Sequence, residues 1–180
     1  MDKDQIRRCM LDKRRMLDIE YVNNCSNKVK DYFIDLFEMK EKFLLYVDIN
    51  KEIRTKDIID YLYKKGKEVY LPKYNGESFD AVLYEGEKKM IKGNYGIMEP
   101  AGDVKGDRFD IIAIPGVAFD ENFYRLGMGK GFYDRMLKRF VGLKVGLAYQ
   151  FQIMKSLPFD DWDEKMDMII TEDKIYRRQI

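Results

Sequence analysis

Nine uncharged residues, Ile111 to Phe119, lead toward a ten-residue loop that holds three alternate glycines, Arg125-Leu126-Gly127-Met128-Gly129-Lys130-Gly131-Phe132-Tyr133-Asp134. The start of the run, Ile111-Ile112-Ala113-Ile114, reads as a buried central strand. The glycines admit backbone angles and close approaches that any side chain would forbid. Past Gly131 the pattern turns helical. Strand, glycine loop and helix in that order constrain the fold to α/β, with the loop beyond the carboxyl end of a parallel strand, where such sheets bind ligands.

The chemistry of the loop points to an anion. Arg125 and Lys130 bring positive charge, and successive backbone N–H groups can form an anion-binding concavity. Asp134, in the first helical turn, is placed to hold a cation against phosphates. Two common templates fail: Gly129-Lys130 is followed by glycine where a P-loop needs Ser or Thr, and the spacing G-x-G-x-G is not the dinucleotide G-x-G-x-x-G. A glycine turn with no ligand is the plain alternative. The flanking cations and the carboxylate favour a nucleotide phosphate site.

The other elements follow from periodicity. Asp4 to about Ile19 reads as an exposed helix, and Ser26 as the cap of a second helix with Val29, Phe33, Leu36 and Phe37 inward. Phe43 to Val47 is a buried strand. Thr55 caps a third helix with Gly66 as its stop, and Val69 to Leu71 closes a βαβ unit. Phe79, Ala81 and Leu83 alternate as a more exposed strand, residues 86 to 108 read as loop on a binding face, and a helix from Gly131 to Phe140 stops at Gly142. Val145 to Tyr149 and Met168 to Ile170 complete a mostly parallel central sheet with helices on both faces. At 180 residues, without linker or repeat, residues 1–180 are expected to form a single domain.

Composition removes several function classes. The 33 basic and 32 acidic residues leave a net charge of +1, so no global field attracts nucleic acid or an anionic membrane. Histidine is absent, which excludes mechanisms that need an imidazole base or ligand. Cys9 and Cys25 are the two cysteines, too few and too far apart for a metal site or a disulfide framework. A charged N-terminus and the lack of a long apolar run lead to an expectation of a cytoplasmic protein without a membrane span.

The sequence closely resembles the 5-formyltetrahydrofolate cyclo-ligase (5,10-methenyltetrahydrofolate synthetase) family. The likeness is carried by Phe119-Asp120, by Arg125-Leu126-Gly127-x-Gly129-x-Gly131 and by Tyr133-Asp134-Arg135. Shorter pieces follow in order: Lys3-x-x-Ile6-Arg7, Glu52-Ile53-x-Thr55, Ile97-x-Glu99-Pro100, Trp162-Asp163 and Ile170-Thr171-Glu172. Two departures stand out. Phe123 replaces a usual Gly, which bears on the turn before Arg125, and Phe132 replaces the first of two tyrosines, removing a hydroxyl from the pocket wall.

The resemblance implies ATP-dependent, magnesium-dependent cyclisation of 5-formyltetrahydrofolate to the 5,10-methenyl form, by a monomer or weak homodimer whose partners are ATP and a reduced folate. It implies that Arg125 and Lys130 are catalytic, and that ATP meets Lys3, Arg7 and the loop Arg125, Leu126, Gly127, Met128, Gly129, Lys130, Gly131, Phe132 and Tyr133. Folate would meet Val47, Glu52, Met128, Gly129, Lys130, Gly131 and Phe132. Asp134 and Asp163 would hold Mg2+, with Asp167 in reserve within the acidic stretch that begins Asp160-Asp161. Trp162 and the tyrosines could stack on a pterin or benzoyl ring, though most more simply fill the core. Two alternatives stay open: another ATP-dependent small-molecule phosphotransferase, and a non-catalytic folate or nucleotide binder.

Overall fold

The computed structural model describes residues 1–179. Helix α1 (Lys3–Met16) begins at the Asp2 cap, whose side chain accepts the Gln5 N–H, and ends earlier than the sequence pattern suggests. The reason is Asp18, whose carboxylate accepts the Tyr21 N–H at 2.7 Å and starts helix α2 (Ile19–Phe37) there. Ser26 is therefore no cap: it lies buried inside α2, and its hydroxyl accepts the Arg54 N–H.

Strand β1 (Lys42–Leu44), helix α3 (Lys56–Lys64) and strand β2 (Glu68–Tyr74) form the expected parallel βαβ unit. Gly66, at φ +77°, ends α3 as expected. Thr55 stands at the cap position but donates its hydroxyl to the buried Tyr46 carbonyl at 2.6 Å instead. Strand β3 (Phe79–Leu83) runs antiparallel to β2, and it buries both Ala81 and Val82 rather than alternating.

The segment read as loop contains a hairpin, β4 (Met90–Lys92) with β5 (Met98–Pro100), and a short edge strand β6 (Lys105–Gly106). Strand β7 (Arg108–Pro115) is the buried centre. It is followed by the small strands β8 (Ala118–Asp120) and β9 (Arg125–Leu126), by helix α4 (Phe132–Leu137), and by β10 (Val141–Leu147). Gly142 lies within β10 rather than at the helix end. A Cβ there would come within 2.7 Å of the Phe109 carbonyl, next to the register shift between Val141 and Leu143. Strands β11 (Ile153–Met154), β12 (Met168–Ile170) and β13 (Ile175–Arg177) complete the described chain.

The eight-stranded sheet has the order β13-β12-β10-β7-β1-β2-β3-β6. Its five central strands are mutually parallel, and the outer ones are antiparallel. Helices α2 and α3 cover one face through Val29, Phe33, Ile58 and Leu62, and α4 covers the other through Met136 and Leu137. Helix α1 packs instead with Ile6 and Met10 on the small β11-β8-β9 sheet. It thereby roofs the carboxyl ends of the parallel strands. Among the described residues no helix is long and apolar enough to cross a membrane.

Candidate active site

One cavity of about 380 Å³ opens beyond the ends of β1 and β7. Its wall includes every residue to which the sequence gave a first-choice binding or metal role: Lys3, Arg7, Val47, Glu52, all ten residues from Arg125 to Asp134, and Asp163. Asp167 is elsewhere, its carboxylate accepting the Lys144 N–H and pairing with Arg178, so it offers no ligand here.

The glycine loop is shaped by its own cations. Arg125 is buried and anchors the loop, pairing through Nη2 with Asp134 Oδ1 at 2.7 Å and donating through Nη1 to the Pro115 carbonyl. A Cβ on Gly127 would sit 2.8 Å from that guanidinium, so a side chain there would push the anchored arginine aside. Gly129, at φ +90°, is required by backbone angle. Helix α4 has only six residues, so a macrodipole contributes little and the loop N–H groups carry the anion argument. Asp120, which opens the signature, is a buried brace: its carboxylate accepts the N–H groups of Asn122, Tyr124 and Leu157.

Helix α1 closes the side that carries the glycine loop. Arg7 Nε donates to the Gly127 carbonyl at 2.9 Å. Lys3 Nζ lies 2.6 Å from Asp160 and 2.9 Å from Asp163. Burial alone would lower the Lys3 ammonium, but the two carboxylates outweigh it and hold its pKa above the usual value. Lys130 is exposed, with its ammonium 4.1 Å above the Tyr95 ring.

The opposite end is drier. Glu52 is buried, and its Oε2 accepts the Ile49 N–H at 3.0 Å. Burial lifts its carboxyl to about 7, against the opposing pull of Arg14 and of that N–H. Tyr133 is likewise pushed well above the ordinary phenol range by burial and by the Glu52 charge, so it stays neutral.

Magnesium fits this donor set. Asp134 and Asp163 engage Arg125 and Lys3 through one oxygen each, and no protein donor bonds the other oxygen among the described residues. Hard oxygens in that number suit an ion that completes its shell with phosphate and water. No cluster of three metal-ligating side chains exists among the described residues, so the protein alone makes no full cage.

Residues 1–172 match the family model described as the 5-formyltetrahydrofolate cyclo-ligase family. The chain belongs to that family. It is similar to the 5,10-methenyltetrahydrofolate synthetase of Aquifex aeolicus, with a TM-score of 0.90 and 38% identity over 100% of this chain and 96% of that one. The 5-formyltetrahydrofolate cyclo-ligase of Haemophilus influenzae is 34% identical over 89% of this chain and 92% of its own. The synthetase of Mycoplasma pneumoniae has a TM-score of 0.77 and 26% identity over 96% of this chain and 99% of that one.

The two departures from the cyclo-ligase pattern have local consequences. Phe123 adopts φ +68°, so the left-handed turn survives without glycine, held by the Phe123 N–H to the Asp120 carbonyl and the Met166 N–H to the Phe123 carbonyl. Phe132 packs against Tyr74, Phe79 and Tyr95 at centroid distances of 5.4 to 6.0 Å, so its ring is held by an aromatic cluster at the cavity wall. Three residues of the site escaped the sequence reading as functional candidates. Glu99 lines the cavity as a buried carboxylate that accepts the Tyr74 N–H, over a Gly93 that has no room for a Cβ. Tyr95 carries the Lys130 ammonium. Arg14 lies behind the wall, and its signal was a charge at apolar spacing after Ile6 and Met10.

Proposed function

We propose that this chain converts 5-formyltetrahydrofolate to 5,10-methenyltetrahydrofolate with ATP, releasing ADP and phosphate. Membership of the cyclo-ligase family over nearly the whole chain carries this reading. The cavity supports it, because one space holds a cationic glycine loop at one end and a buried carboxylate at the other.

The chemistry asks for positioning more than for a nucleophile. A formamide carbon is a poor electrophile, because nitrogen donates into the carbonyl. Transfer of the ATP γ-phosphoryl group to the formyl oxygen makes that oxygen a leaving group. N10 then attacks the formyl carbon, the N10 proton is lost, and the C–O bond breaks to release phosphate.

In this reading Arg125 and Lys130 neutralise charge on the transferring phosphoryl group, and the N–H groups of the loop Gly127 to Gly131 cradle the triphosphate. Lys3 and Arg7 bring α1 over the nucleotide. Magnesium held by Asp134 and Asp163 would supply further neutralisation of phosphate charge. Glu52 accepts N–H groups of the aminopyrimidine, Val47 contacts the ring, and the loop residues Met128 to Phe132 separate the two ligands. Residues 1–180 act as one catalytic unit, a cytoplasmic monomer or weak homodimer with no nucleic-acid or membrane partner.

The test is direct. Purified protein with magnesium-ATP and 5-formyltetrahydrofolate should show growing near-ultraviolet absorbance of the methenyl product, dependent on both ATP and metal. A flat trace from folded protein that still binds ATP would overturn the assignment in favour of another phosphate acceptor or a non-catalytic binder.

A further inference from the structure

Arg14 is among the most deeply buried polar residues of the chain, at 2% exposure, and it does not reach the cavity surface. Its five N–H donors are poorly used. Nη1 donates to the Gly116 carbonyl at a long 3.4 Å, and Nε has no partner. A structural arginine at this depth would ordinarily have its fork satisfied. What the geometry does serve is charge: Nη1 lies 3.9 Å from Glu52 Oε1, and Glu52 is the one carboxylate within 4.0 Å of it among the described residues.

The other groups around Glu52 leave this role to Arg14. Arg125 also faces Glu52, but it is already paired with Asp134 at 2.7 Å. Asp48 opposes ionisation, and the phenols of Tyr46 and Tyr133 stay neutral. The Ile49 N–H is the remaining donor. Burial works against the charge of Glu52, and a carboxylate that protonates can no longer accept with both oxygens.

We infer that Arg14 is a positioning residue for the folate: sealed behind the wall, its guanidinium faces the Glu52 carboxylate and favours its charged form, in which both oxygens can accept the pterin N–H groups. This rests on the assignment of Glu52 to the folate. Arg14 stands on the same helix as Lys3 and Arg7, so α1 serves both ends of the cavity.

The experiment pairs a direct titration with kinetics. The Glu52 carboxyl is followed by 13C NMR in glutamate-labelled protein, identified by its loss in Glu52→Gln. Wild type, Arg14→Met and Arg14→Lys are compared, with thermal melts to confirm folding. Removing an opposite charge at this range should raise the Glu52 midpoint by about one pH unit or more in Arg14→Met, with Arg14→Lys in between. The pH at which KM for 5-formyltetrahydrofolate improves should move upward in step, while KM for ATP stays put. An unmoved NMR midpoint in a folded Arg14 variant overturns the inference. A moved midpoint with an unmoved folate profile, or a Glu52→Gln variant with normal folate KM, overturns the assignment of Glu52 and the inference with it.

Discussion

At the end of the cavity assigned to the nucleotide, Lys3 and Arg7 leave about a quarter of their side chains in solvent, at 26% and 22%. At the folate end, Arg14 and Glu52 leave 3% and 9%. The same ion-pair vocabulary does different work in the two places. Near water, a lysine held by two aspartates is screened and exchangeable, so it can be handed to a phosphate at small cost. Away from water, burial pushes the carboxyl up to about 7, and a 3.9 Å pair pulls against it. The comparison separates charges that deliver binding from charges that set protonation.

The largest effect expected is at the boundary between the ends. Asp134→Asn should lower kcat by roughly 100-fold or more through loss of metal and phosphate positioning, with the fold kept. Asp134→Ala should in addition melt earlier, by about 2 kcal/mol, because the buried Arg125 then keeps only a carbonyl partner. Turnover and melting curves read the two contributions separately.

At the folate end, Glu52→Gln should raise folate KM by about 10- to 100-fold and leave ATP KM alone. Its stability should carry the opposite sign. The Glu52 carboxyl is raised to about 7 from an ordinary 4.5, so its contribution to stability is fully present below 4.5 and is lost as pH rises through 7. Wild type should therefore lose up to roughly 3 kcal/mol over that window, and Glu52→Gln should lose less. Denaturant titrations at pH 5 and pH 8 measure the difference.

Salt sharpens the contrast without any mutation. Raising ionic strength from about 0.05 M to 0.5 M should increase ATP KM about threefold and change folate KM less than twofold, because screening reaches the exposed cations and not the buried pair. Equal sensitivity of both constants would erase the distinction between the ends. The smallest effect belongs to Phe123→Gly. Relief of the left-handed backbone, worth about 1 kcal/mol, is offset by lost packing of a half-buried ring, so stability should stay within about 1 kcal/mol with activity unchanged.

The nucleotide end was the more legible from sequence, and the reason is its contiguity. Gly127, Gly129, Lys130 and Gly131 lie in one short stretch, and phosphate recognition by backbone N–H groups needs only such a stretch. Glu52 and Val47 were reachable only through family resemblance, because nothing local says that a carboxylate before α3 faces a ligand. Asp18 and Ser26 show the same limit within secondary structure. Both residues suit a helix start, and which one acts was settled when Ser26 was buried against the Arg54 backbone. Segment 86 to 108 looked like loop because its glycines and charges hide strands of three residues, which pair with one another more than they cover a core.

Order along the chain was thus enough to establish the parallel α/β core and the family and to propose an anion-binding loop, since each rests on neighbouring residues and their periodicity. Only the tertiary structure decided that Asp134 is held by Arg125, that Asp163 is held by Lys3, and that Arg14 stands behind Glu52. The last two are distances between segments remote in sequence, and the first is the glycine loop folding back on itself. Burial and charge separation, which set the strength of every one of these contacts, exist only once the chain has closed.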